Sequence, residues 1–329
     1  MNYPKTSLII FFLLFTSFGI SQETLPVYSD YLSDNIFLVH PAAAGIGDSA
    51  KLRVTAQQQW LGVESAPSFQ TLSYNSYLGQ RAGAGLIFYN DSNGYNNQLG
   101  IQGAYAYHLN LGGRRFNQLS LGFGVGVKQN SFDTSSFFGD PNTSFSNDVT
   151  TKRGYFNLDL SVAYYYHAFY TYLTAKNIFV SDINRDDILF EKENLRNYLF
   201  NAGYYFGENR YIQFEPSVMI KYFERTNQTF LDLNFKVYKP LKKSLVWAAV
   251  SYRRSFGKTE NLAELRYFSP IIGANLGRTV VAYTYTQQIS DLVVDRSGFH
   301  QITIGFNLFY KRNRASSCPN PNIKMPFYY

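Results

Sequence analysis

The chain has 329 residues and a single cysteine, Cys318, so it holds neither an intramolecular disulfide nor a cysteine-ligated metal site. Charge is scarce: Asp, Glu, Lys and Arg together make up 16%, against about 25% in soluble globular proteins. Long apolar runs are missing too. The longest, Leu8 to Phe18, falls short of the roughly 20 residues a membrane helix needs. It follows Lys5 and precedes Gly19, Ser21 and Gln22. That order predicts a signal peptide over residues 1–21, cleaved just after Ser21, and an exported protein. Catalytic signatures are lacking as well. His40, His108, His167 and His300 have no metal-ligand spacing. No GxSxG elbow occurs, and no glycine-rich phosphate loop opens a helix. Asp186, Asp187, Glu191 and Glu193 share one long loop and read as solvated rather than as a Ca²⁺ site. The expectation is a protein that is not an enzyme and has no cofactor and no metal. The net charge of +7 gathers on no helix face or patch, which argues against a nucleic-acid partner.

Aromatic residues are abundant at 18%, with 28 Tyr and 29 Phe. They sit in a period-two pattern. In QLGIQGAYAYHLNL, residues 98–111, Leu99, Ile101, Tyr105, Tyr107, Leu109 and Leu111 share one parity. Polar or small residues fill the other. Successive strand side chains point to opposite faces, so this segment is a strand with one apolar and one polar face. It is longer than the usual soluble strand of about 5–6 residues, and it suits a tilted membrane strand. The pattern recurs at 118–128, 156–167, 212–222, 231–237 and 301–310, and more weakly near 50–59, 69–78, 82–90, 169–176, 197–206, 244–254, 261–273 and 279–288. An exported chain that spans a membrane without helices must close its sheet, because open edges cannot sit in lipid. The fold expected is all-β: a transmembrane outer-membrane β-barrel of about 14 antiparallel strands.

The connections fall into two classes. Tight ones lie at 78–81, 111–115, around His167 and Ala168, and at 207–210, 240–243 and 276–278. Longer or more polar ones lie at 60–68, 90–97, 129–153, 177–196, 223–228, 255–260 and 288–298. Bacterial barrels place short turns in the periplasm and long loops outside, so both chain ends are expected in the periplasm. Residues 22–48 precede the barrel, are too apolar for a disordered tail and lack alternation; they either plug the lumen or cap it from the periplasm. The barrel is expected over 49–310, with a basic periplasmic tail at 311–329.

Inward positions include Arg53, Lys128, Asp159, Glu215, Lys221, Asp232, Lys236, Arg253, Glu264 and Arg266. A pore selective for one charge would show a ring of one sign. Mixed signs suit an interior cross-linked by ion pairs. Gly122, Gly124 and Gly126 also point inward, either to admit a plug or to let the sheet curve.

PVYSDYLSDNIFLVHPAAAG at 26–45 resembles the N-terminal signature of the PorP/SprF family of Bacteroidetes, with His40 where the family has Asn. QQQWLGVESAPSFQTLS at 57–73, GAGLIFYNDSNG at 83–94 and FEPSVMIKY at 214–222 resemble further family blocks in order, and SYRR at 251–254 and Cys318–Pro319 echo family positions. Glu64 and Ser65 replace the common acidic-Gly pair, so that loop differs. The resemblance implies a non-enzymatic outer-membrane component of the type IX secretion system. Such a protein binds or anchors a secreted cargo or adhesin at the cell surface and supports secretion or gliding motility. Its implied partners are the cargo C-terminal domain, periplasmic peptidoglycan-associated lipoproteins and outer-membrane lipid. Cargo contacts are expected in extracellular loops, at Trp60, Glu64, Asp91, Tyr95, Phe138 and Asp187. Periplasmic contacts are expected in the tail, at Lys311, Arg312 and Arg314. The competing reading is a channel for small or hydrophobic solutes.

Overall fold

A computed structural model describes residues 31–33, 35–47, 49–59, 66–79, 81–94, 96–112, 116–133, 150–182, 196–207, 211–257, 264–289 and 298–309. Alternating segments become strands: β1 Ala50–Gln59, β2 Ser68–Leu78, β3 Ala82–Asn93, β4 Asn96–Asn110, β5 Asn117–Asp133, β6 Thr150–Tyr166, β7 Phe169–Asp182 and β8 Asn197–Tyr204. The series continues with β9 Phe206–Gly207, β10 Gln213–Phe223, β11 Gln228–Pro240, β12 Ser244–Phe256, β13 Arg266–Leu276, β14 Thr279–Gln288 and β15 Phe299–Leu308. Each pairs antiparallel with its neighbours, and β1 pairs β15 from Ala50↔Leu308 to Gln59↔Phe299. The sheet therefore closes and leaves no edge strand.

β8 and β9 are one wall strand broken at Tyr205, which makes fourteen in all. The break has a cause on the facing strand. β10 pairs β8 up to Ser217↔Gly203 and resumes with β9 at Phe214↔Phe206. Between them stands Pro216, which has no N–H to give the ladder. Pro270 leaves a similar gap, because β13 and β14 skip from Phe268↔Gln287 to Ile271↔Thr284.

Side-chain direction follows the sequence parity. Leu99, Ile101, Leu121, Phe123, Leu160, Leu233, Phe235 and Ile302 are exposed on the outer face. Arg53, Asp159, Glu215, Lys221, Asp232, Lys236 and Arg253 are buried inside. Two expected inward residues are not. Arg266 takes the outward parity beside buried Tyr267, and Glu264 precedes β13 at the rim, where it bridges Arg266 at 2.8 Å and Arg254. Hydrogen bonding to Arg266 holds the Glu264 carboxyl below its ordinary range. β13 begins at Arg266, and its inward parity belongs to Tyr267, Ser269 and Ile271 instead.

The strand ends that the expected tight turns join all lie at one end of the barrel, called here the short-turn end. At the other end two expected loops are corrected. β3 and β4 pair as far as Asn93↔Asn96, so only Gly94 and Tyr95 connect them, with Gly94 at φ +58. Residues 224–227 likewise form a tight turn. Both segments are polar on both parities, so the alternation that marks a strand fades there.

The seam between first and last strands is latched from within. Fully buried Arg53 donates through Nη1 to the Phe306 carbonyl at 3.2 Å and through Nη2 to Asn307 Oδ1 at 2.7 Å. Gly305 makes room, since a Cβ there would lie 2.3 Å from Arg53 Cδ. Gly305→Val is expected to destabilise closure by ~1–3 kcal/mol, the cost of overpacking a filled interior. The check is the temperature at which the folded band is lost in a heated gel assay, which should fall.

Candidate functional site: the filled lumen

Residues 31–47 run inside the ring of strands. They contain two 3₁₀ turns, Ile36–Leu38 and Pro41–Ala43, the second opened by a proline already set for the turn. Tyr31, Leu32, Phe37, Leu38, Val39 and Ala42 are all buried. The segment lacks helical or strand periodicity because lumen surrounds it on every side.

Its seat is carved by small residues on the inward parity. A Cβ at Gly83 would lie 2.1 Å from Ala44 O, one at Gly85 2.5 Å from Phe37 Cζ, and one at Gly122 2.3 Å from Ala42 N. Ala104, Ala106 and Ala163 are buried beside them in the same core. Of the two readings of the inward glycines, Gly122 and Gly124 therefore admit a segment, while Gly126 faces Asn157.

Polar contacts fix the segment in register. Asn35 donates to Ser73 Oγ at 3.0 Å, and the Gly45 amide donates to Asn75 Oδ1 at 3.2 Å, both on β2. His40 Nδ1 lies 2.7 Å from Thr174 Oγ1, and its ring stacks on Tyr172 with centroids 4.7 Å apart. Lys176 and Lys236 donate to the Leu38 and Leu32 carbonyls at 3.3 and 2.8 Å. Asn234 donates to the Tyr31 hydroxyl at 2.6 Å. His108 Nε2 is 2.9 Å from the Ala44 carbonyl. A carbonyl only accepts, so Nε2 carries the proton and Nδ1 faces Ser120 Oγ at 2.8 Å.

The lumen beside this segment is also occupied. Glu215 accepts from Tyr170 at 2.6 Å and from Tyr238, with the Tyr205 ring next to both. Asp232 takes Arg253 through both carboxylate oxygens, at 2.6 and 2.7 Å. Asp159 accepts from Gln102 at 2.7 Å and from the Asn177 amide at 2.8 Å. The Lys236 ammonium lies 3.9 Å from the Trp247 ring centre. The mixed inward charges thus cross-link the interior. Among the described residues, no group of three or more His, Cys, Asp or Glu could hold a metal ion.

Asp91, expected on an extracellular loop, is a β3 residue on the lumen parity, paired with Gln98 and Phe69. Trp60, Glu64, Tyr95, Phe138, Asp187, Lys311, Arg312 and Arg314 lie outside the described residues, as do the signal peptide and Cys318. The seat residues His40, His108, Lys176 and Lys236 were not foreseen as a set. Gly83 and Gly85, inward on β3 and facing the same way as Gly122 and Gly124, were the available signal.

No curated protein matches the chain. Among solved structures it resembles the CymD monoaromatic hydrocarbon channel, with 10% identity over 84% of this chain and 93% of that one, at a TM-score of 0.44. It also resembles the translocator domain of autotransporter NalP from Neisseria meningitidis, with 12% identity over 86% and 96% and a TM-score of 0.37. A third is BamA from Haemophilus ducreyi lacking POTRA domains 1–3, with 10% identity over 79% and 70% and a TM-score of 0.41. At these identities the likeness bears on no individual residue. The sequence profile of one family matches residues 20–306, nearly all of the barrel and the segment inside it, and the chain belongs to that family, the type IX secretion system membrane proteins PorP/SprF.

Proposed function

We propose that this chain is a non-enzymatic outer-membrane component of the type IX secretion system whose barrel is plugged by its own residues 31–47. In this reading it binds or anchors a secreted cargo or adhesin at the cell surface and supports secretion or gliding motility. Family membership supports the system. The observation that carries the choice of a binding scaffold over a solute channel is the filled lumen, where Gly83, Gly85 and Gly122 touch residues 37–44 with no room for a methyl group. The short-turn end faces the periplasm, as is usual for bacterial barrels. The loops at 134–149 and 183–196 then meet cargo, and the tail at 311–329 meets peptidoglycan-associated lipoproteins.

Deleting the gene is expected to abolish surface display of one adhesin that carries a secretion-type C-terminal domain, as read by antibody labelling of intact cells. Wild-type secretion and display in the deletion strain would contradict the reading.

A further inference from the structure

The outer face of the barrel carries a concave apolar groove of about 650 Å³ across β4 to β8. Its main row is Tyr105, Phe123, Leu160, Ala175 and Tyr198, each paired with the next across the strands. Ala175 is the small member. Just beyond it β7 bulges. Leu158 pairs Phe179 and Leu160 pairs Ala175, so three residues, Lys176 to Ile178, stand opposite Asp159 alone. Lys176 and Asn177 both turn inward, one to the Leu38 carbonyl and the other, at φ +55, giving its amide to Asp159. Plain alternation would send Asn177 outward; here the outward place passes to Ile178, exposed on the outer face next to Phe179.

The same wall is the seat of the inner segment. Gly122 and Thr174 both line the groove. From inside, Gly122 lies against Ala42, and the Thr174 hydroxyl meets His40. The groove outside and the seat inside are therefore two faces of the same stretch of wall.

We propose that this groove is a binding site for an acyl chain of a phospholipid, and that the seated inner segment sets its depth. The groove lies toward the short-turn end, since Leu121 and Phe123 come early in β5 and Leu160 and Val162 late in β6. With that end in the periplasm, which rests on the proposed orientation, the leaflet is the phospholipid one. The occupant follows from the chemistry of the lining. No charged residue lines the groove, and its outward side chains belong to the hydrocarbon-facing band. A soluble protein partner needs a polar rim and about one hydrogen bond per 100–200 Å²; here only tyrosine hydroxyls are on offer. Within lipid no hydrophobic force favours the groove over the flat wall, so the preference comes from close packing.

The test uses the full chain in nanodiscs that mix lipid A with phosphatidylethanolamine, each in turn carrying a diazirine in its acyl chain. Crosslinks are mapped by mass spectrometry. Phospholipid labelling at Leu160, Leu173, Ala175 and Tyr198 is expected to exceed that at Ile272, Ile302 and Ile304 by about fivefold, the ratio that a packing preference near 1 kcal/mol gives. Ala175→Phe, which fills the groove from outside, should reduce labelling to the level at Ile302, and Val281→Phe on β14 should leave it unchanged. Even labelling around the barrel would overturn the site. Preferential labelling by lipid A would overturn the phospholipid assignment. Gly122→Leu, or His40→Ala where the first fails to fold, should lower groove labelling; unchanged labelling would overturn the link to the inner segment.

Discussion

Gly122→Leu is expected to unseat the inner segment and make the outer membrane leak bulky antibiotics. A Cβ at this position would lie 2.3 Å from Ala42 N, 2.5 Å from Ala42 Cα and 2.7 Å from the Pro41 carbonyl carbon. These are backbone atoms, which cannot swing aside as a flexible side chain can. Overpacking an interior costs ~1–3 kcal/mol, and the upper end applies where backbone meets backbone. A cost near 3 kcal/mol shifts the ratio of seated to unseated segments by about 100-fold. The neighbouring contacts at Thr174, Lys176 and His108 would go with it, since all three bind residues 38–44. The measurement is vancomycin sensitivity of cells carrying the variant at normal barrel levels. Gly103→Leu is the control: it faces lipid, a Cβ there meets nothing nearer than 3.7 Å, and permeability should not change.

The second large effect lies on β11 and β12. Asp232→Ala removes the carboxylate held by Arg253 through two short hydrogen bonds, in a pair that is nearly fully buried. Removing one partner of a buried pair costs ~3–5 kcal/mol, because the remaining charge stays in a low-dielectric interior. The midpoint of urea unfolding of the purified barrel should fall accordingly. Asp232→Leu with Arg253→Met removes both charges and keeps the volume, so most of the loss should be recovered. If the double variant is no better than the single one, the pair does more than satisfy its own charges, for example by orienting Asn234 toward Tyr31.

Much of the wall was legible because a barrel strand faces two solvents. Lipid on one side and a filled polar interior on the other impose the period-two pattern that Leu121, Phe123 and Val125 display against Gly122, Gly124 and Gly126. Where one of those conditions lapses, the pattern fades. β3 and β4 stay paired as far as Asn93↔Asn96, but neither parity is apolar from Asn90 onward, and these residues read as a loop. Arg266 was misplaced by the same route, at a strand end without alternation. The bulge at Lys176 to Ile178 left no mark except Asn177, a residue type that tolerates positive φ. The inner segment was visible only as an apolar stretch without a period. Its seat needed three-dimensional pairing, because Gly83 on β3, Gly122 on β5 and Thr174 on β7 converge only once the sheet is closed.

The filled lumen also bears on how such a barrel contributes to secretion. The wall is braced from inside by Arg53, Glu215, Asp232 and the segment at 31–47, which is what the proposed binding scaffold requires. Single-channel recording of the purified, unmodified chain in a planar bilayer tests this most directly. A silent bilayer is expected, with steady current steps appearing only after Gly122→Leu. Steady current through the unmodified protein would contradict the plugged barrel and restore the solute channel.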